Sequence, residues 1–188
     1  VSGNTLYSFD LSSKSGSRPF LDSDGVSLAG TGKKIQVVGN YVYVAVQAGG
    51  IKIVDVTEKT NPFLAGGYTS PSLTHASGIT VRGEILYVAN GTGGDLQIFN
   101  ISNPINPVLL GSYTAPAGGN ISEVVLSGNY AYVAAGSAGL KIINISSSTN
   151  PVLAGSYDVP ADSGVSGVAV ASGYVFLAKG LDGFQIID

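Results

Sequence analysis

Apolar and polar positions alternate through residues 79 to 113 in four short runs. Ile79 and Val81, then Leu86 and Val88, fall at strand spacing, with Gly83-Glu84 between them as a tight turn. Leu96, Ile98 and Ile101 mark a third run after the turn Gly93-Gly94-Asp95. Pro104 and Pro107 bar a helix, and Val108 to Tyr113 supplies a fourth run. The stretch therefore predicts four short antiparallel strands. No window holds an i, i+3, i+4 apolar pattern free of glycine or proline. Valine, isoleucine, tyrosine and threonine suit pleated, half-buried strands.

The same pattern recurs along the chain. GNYVYVA at Gly39 to Ala45 returns as GEILYVA at Gly83 to Ala89, as GNYAYVA at Gly128 to Ala134, and as GYVFLA at Gly173 to Ala178. Asp10, Asp55, Asn100, Asn144 and Asp188 share one position, at steps of 45, 45, 44 and 44 residues. Pro62, Pro107 and Pro151 follow, then Tyr68, Tyr113 and Tyr157; in the first copy Pro19 comes late and no tyrosine follows. A period near 44 residues with four strands per unit indicates propeller blades. A stack of separate small sandwiches fits less well, because a lone 44-residue sheet buries too little surface to stand alone. The expectation is an all-β propeller of four-stranded antiparallel blades with strands near 35–38, 41–46, 51–56 and 63–68, repeated one period on. Residues 1–188 read as one propeller domain, or an arc of a larger one. The blades span about 1–30 (partial), 31–76, 77–120, 121–163 and 164–188 (partial).

The blocks GNYAYVA, GLKIINIS and NPVLAGSY, with IKIVDVT at Ile51 to Thr57, resemble the LVIVD repeat of bacterial and archaeal β-propeller proteins, many of them surface-exposed. The resemblance covers nearly the whole chain and is loosest over residues 13 to 34. It implies the fold and a surface setting, but no particular chemistry.

Composition narrows the classes. Charged residues make up 11% of the chain and the net charge is −3. The nine basic residues are scattered, Lys33-Lys34 being the only adjacent pair, which argues against a nucleic-acid partner. No apolar run approaches a membrane span. Absence of cysteine excludes disulfides and thiolate metal sites. Absence of methionine means that Val1 is not an initiator residue, so the chain is expected to be a processed or trimmed piece. Low charge with abundant Ser, Thr, Asn and Gly points to an extracellular or cell-surface protein.

Candidate chemistry is sparse. Asp22 and Asp24, in DSDG, resemble half of a calcium loop without its third ligand or its distant glutamate, and are the metal candidates. No other cofactor is expected. GTGKK at Gly30 to Lys34 lacks phosphate-loop spacing and reads as a glycine-rich blade connection. Asn90, Asn100, Asn120 and Asn144 match the glycosylation acceptor pattern, although the repeated Asp/Asn position itself reads as a turn former. Tyr43, Tyr87, Tyr132 and Phe176 share one slot and read as inter-blade packing rather than a carbohydrate platform; Tyr68, Tyr113 and Tyr157 read as blade-to-blade contacts. His75, the only histidine, reads as a loop residue ahead of a first strand.

No catalytic residue is assigned. The expected function is a non-enzymatic interaction or scaffold module with a protein or surface-glycan partner, and with self-association through its incomplete end blades. The alternatives are a hydrolase or lactonase-like propeller drawing on His75, Glu123 and Asn120 near the channel, and a carbohydrate-binding propeller.

Overall fold

The computed structural model describes residues 5–6, 26–58, 61–115, 119–160 and 164–188. β1 (Thr5–Leu6) pairs with β2 (Val26–Ser27). β3 (Thr31–Val38), β4 (Tyr41–Gln47), β5 (Gly50–Asp55) and β6 (Phe63–Tyr68) form the first four-stranded sheet. β7 (Ala76–Arg82), β8 (Ile85–Asn90), β9 (Asp95–Asn100) and β10 (Val108–Thr114) form the second. β11 (Gly119–Ser127), β12 (Tyr130–Gly136), β13 (Leu140–Asn144) and β14 (Val152–Tyr157) form the third. β15 (Gly167–Ala171), β16 (Tyr174–Ala178) and β17 (Phe184–Ile187) complete the described strands. Each sheet is a meander, and the only helical turn among the described residues is the 3₁₀ segment Gly180–Asp182.

Local chemistry explains the meander. The β3–β4, β7–β8 and β11–β12 hairpins turn on Gly39, Gly83 and Gly128, with φ of 57°, 60° and 54°. Each is the first of two turn residues, where a two-residue hairpin favours glycine. After each third strand the Asp/Asn position forms the expected turn. Thr57 N donates to Asp55 Oδ1 at 2.7 Å, Ser102 N to Asn100 Oδ1 at 2.8 Å, and Ser146 N to Asn144 Oδ1 at 2.9 Å.

Sheets stack face to face, first strand against first strand: β3 on β7, β7 on β11, β11 on β15. Tyr43, Ile51, Ile53, Leu86, Val88 and Phe99 fill the interface between the first and second blades. Tyr87, Leu96, Ile98, Val124, Val133 and Ile143 fill the next, and Leu140, Val168 and Leu177 the one after. The repeated tyrosines are therefore core: Tyr43 and Tyr87 are buried, and Tyr132 packs half-buried on the third interface. Tyr68 meets Phe99 of the next blade edge-on at 4.8 Å between centroids, and Gln185 Nε2 donates to the Tyr157 hydroxyl at 2.6 Å. In the last sheet the corresponding face is open: Phe184 is 64% exposed, whereas Leu140, its counterpart, is 1% exposed.

One detail differs from the sequence expectation. β3 begins at Thr31, so Lys33 and Lys34 lie within a strand rather than in a connection. A bulge between Gly32 and Lys34 accommodates the extra residue, and β7 and β11 are bulged at the same place. The partner of Leu6 is Val26, which fills the slot that Tyr68 and Tyr157 fill opposite Ile51 and Leu140. Residues 7–25, between β1 and β2, lie outside the described residues. Leu6 and Phe184 belong to separate sheets.

Candidate functional site

The bulges in the first strands place one polar residue per blade where successive blades meet. Ser77 Oγ lies 2.7 Å from the Ile121 carbonyl of the next blade and 3.1 Å from the Ala89 carbonyl of its own. Ser122 Oγ lies 2.9 Å from the Ser166 carbonyl, again one blade on. These hydroxyls tie adjacent first strands together. In the first whole blade the same position is Lys33.

One residue further along, Lys34, Gly78, Glu123 and Gly167 share a position, each paired with an alanine of the second strand. Lys34 Nζ reaches Glu123 Oε1, two blades away, at 2.7 Å. Glu123 Oε2 also accepts from Val168 N at 3.2 Å. A Cβ on Gly78 would sit 2.8 Å from Ser122 O and 3.0 Å from Glu123 Cα. Glycine there lets the first strands approach closely.

Beside this ion pair lies a cavity of about 440 Å³. Its walls carry Lys33, Gln47, His75, Ser77, Thr92, Asn120 and Ser122, with Ala76 and Gly91. Among the described residues the lining includes no carboxylate. His75 Nδ1 is 2.9 Å from Thr74 Oγ1. A buried polar network anchors the histidine's loop: His75 N donates to Asn90 Oδ1 at 3.1 Å and Asn90 Nδ2 donates to Ser72 O at 2.6 Å. Gln97 Nε2 also donates to Ser72 O, at 3.3 Å, while its buried Oε1 has no partner among the described residues.

The structure distributes the sequence candidates unevenly. Asp22 and Asp24 lie outside the described residues. Among the described residues no three His, Cys, Asp or Glu side chains cluster as metal ligands. His75 and Asn120 share the cavity, whereas Glu123 is engaged by Lys34 and Val168 N. Asn90 is a correction: its side chain is 0% exposed and bonded at both ends, which leaves no space for a glycan in this fold. Asn100 and Asn144 are held as turn formers, each accepting from the hydroxyl of the serine two residues on; Asn120 is exposed. Sequence reasoning missed Lys33 and Gln47. The available signal was their departure from the repeat, whose other copies carry serine and glycine there.

Among the described residues three titratable groups depart from ordinary behaviour. Hydrogen bonds from the Thr57 hydroxyl and amide hold the Asp55 carboxyl below the usual range. Burial raises the Tyr43 phenol, with Tyr41 adding to it, and burial raises that of Tyr113.

The fold is that of a β-propeller. The chain superposes on a Bacteroides uniformis protein provisionally assigned as a 6-phosphogluconolactonase with a TM-score of 0.76 at 14% identity, covering 99% of this chain and 60% of that one. For the periplasmic gluconolactonase of Pseudomonas aeruginosa the TM-score is 0.66 at 11% identity, covering 87% and 58%. For a β-propeller domain from Myceliophteria thermophila it is 0.67 at 14%, covering 98% and 67%. The chain spans about three-fifths of the length of the two bacterial structures. At such identities the likeness establishes fold alone. No curated protein matches the sequence. The LVIVD repeat model matches residues 29–70, 74–115 and 118–159. The chain belongs to the LVIVD-repeat family.

Proposed function

We propose that this chain is a non-enzymatic interaction module of an exported or cell-surface protein, and that its ligand enters the cavity beside the first strands. The observation that carries the reading is the composition of that cavity. Among the described residues it holds one imidazole and no carboxylate, and Glu123 is taken up by Lys34 and the Val168 amide. An acid–base pair poised on a substrate is what an esterase or lactonase mechanism needs. Amides, hydroxyls and one ammonium are what recognition needs. The low charge of the chain supports the surface setting, and no helix among the described residues is long and apolar enough to cross a membrane. Self-association through the open face of the last sheet, where Phe184 and Ile186 are exposed, belongs to the same proposal.

The second reading, a lactonase-like enzyme, draws on the fold likeness to gluconolactonases and on His75 and Asn120 facing one cavity. Hydrolysis of glucono-lactone and 6-phosphoglucono-lactone by the purified chain and by His75→Ala separates the two. Hydrolysis no faster than the buffer rate in both supports the binding module. Turnover that vanishes in a folded His75→Ala overturns it.

A further inference from the structure

A group that the repeated blade requires recurs in each blade, so a polar side chain present in a single copy needs a reason of its own. Several such departures meet in the one cavity. Lys33 stands where the other blades have Ser77, Ser122 and Ser166. Gln47 stands where they have Gly91, Gly136 and Gly180. His75 and Asn120 share a position that is Thr31 and Gly164 elsewhere.

Charge adds a second argument. Lys34 is neutralised by Glu123, but among the described residues Lys33 has no salt bridge and no carboxylate lines the recess beside it. Among the described residues, the recess is thus lined by one lysine without an acidic partner, two amide residues and one histidine. It is also held in shape. Asn90, whose counterparts in neighbouring blades are Val46 and Ala135, is buried and fixes the backbone of Ser72 and His75.

We propose that this cavity binds a small organic oxyanion, a carboxylate or phosphate group carried on a polyhydroxylated molecule. Lys33 is its charge partner, and Gln47 and Asn120 are its amide donors. Charge-assisted hydrogen bonds to the oxyanion oxygens supply the affinity, and hydroxyl groups on the ligand meet the serine and threonine oxygens of the wall. About 440 Å³ accommodates such a molecule. This inference rests on the binding-module reading and names the ligand class.

The test is an NMR titration with D-gluconate, inorganic phosphate and uncharged D-glucitol. It uses the wild-type chain, Lys33→Ser and Lys34→Ser. Lys33→Ser installs the residue that the other blades carry, so the fold is expected to persist; an unchanged amide spectrum elsewhere checks this. The expected result is saturable, salt-sensitive shifts at His75 and Asn120 with gluconate, weakened about tenfold or more in Lys33→Ser and less in Lys34→Ser, which removes no cavity donor and only frees the Glu123 carboxylate beside it. Gluconate binding without phosphate binding assigns the carboxylate; the converse assigns the phosphate group. No saturable shift with either anion overturns the inference. Glucitol binding that ignores Lys33→Ser also overturns it, yet leaves the binding-module reading standing.

Discussion

Gly111 and Gly155 occupy one repeat position in consecutive fourth strands, and a methyl group separates their fates. Neither has a positive φ, so alanine is locally allowed at both. At Gly111 the new Cβ would lie 2.7 Å from Ser148 O and 2.8 Å from Thr149 O, both in the turn of the next blade. Those are backbone atoms, and the turn is closed by Asn150 N donating to Ser147 O, so it cannot move as a flexible side-chain tip would. Overpacking of this kind costs about 1–3 kcal/mol. At Gly155 the nearest atom is Ile142 Cδ1 at 3.8 Å, ordinary contact. What remains there is the lowered entropy of the unfolded chain, a gain of about 0.4–1 kcal/mol common to both sites. Gly111→Ala should therefore be less stable than Gly155→Ala by about 2 kcal/mol, or roughly 1 M in the urea midpoint. Equal midpoints would refute the claim that blades interlock through the fourth-strand glycines.

Tyr87→Ala should cost about 3 kcal/mol by calorimetry, because the ring is buried between blades; a cost within measurement error would place it in solvent. Ser77→Ala should lose about 1 kcal/mol, since Ser77 bonds the next blade, while Ser166→Ala, whose hydroxyl bonds only its own blade's Ala178 carbonyl among the described residues, should lose less. Asn90→Ala should speed amide exchange in the 70–75 loop; unchanged exchange would show that the loop holds itself. The Asp55 carboxyl titrates below its ordinary value of 3.8, so its contribution is complete above that value and fades as pH falls through the depressed folded pKa. Asp55→Asn should flatten stability in that acid window while behaving like wild type at pH 7; an unchanged acid profile would exclude the Thr57 bonds as the cause.

Strand number, strand order and the interior role of the tyrosines were legible in the sequence. Each follows from short-range pattern: alternation sets the strand, Gly39 and Gly83 set the hairpins, and the 44–45 residue step requires equal units that bury one another. The turn role of Asp55, Asn100 and Asn144 was equally local, since the acceptor and its donor lie two residues apart. The tertiary structure alone decided what meets across blades. Lys34 and Glu123 are 89 residues apart in the chain and 2.7 Å apart in space because first strands converge. The same convergence turned His75 from an isolated loop residue into one wall of a cavity shared with Lys33, Gln47 and Asn120. Periodicity reports what blades have in common; the site is made of what they do not, and only the packing of one blade on the next brings those differences together.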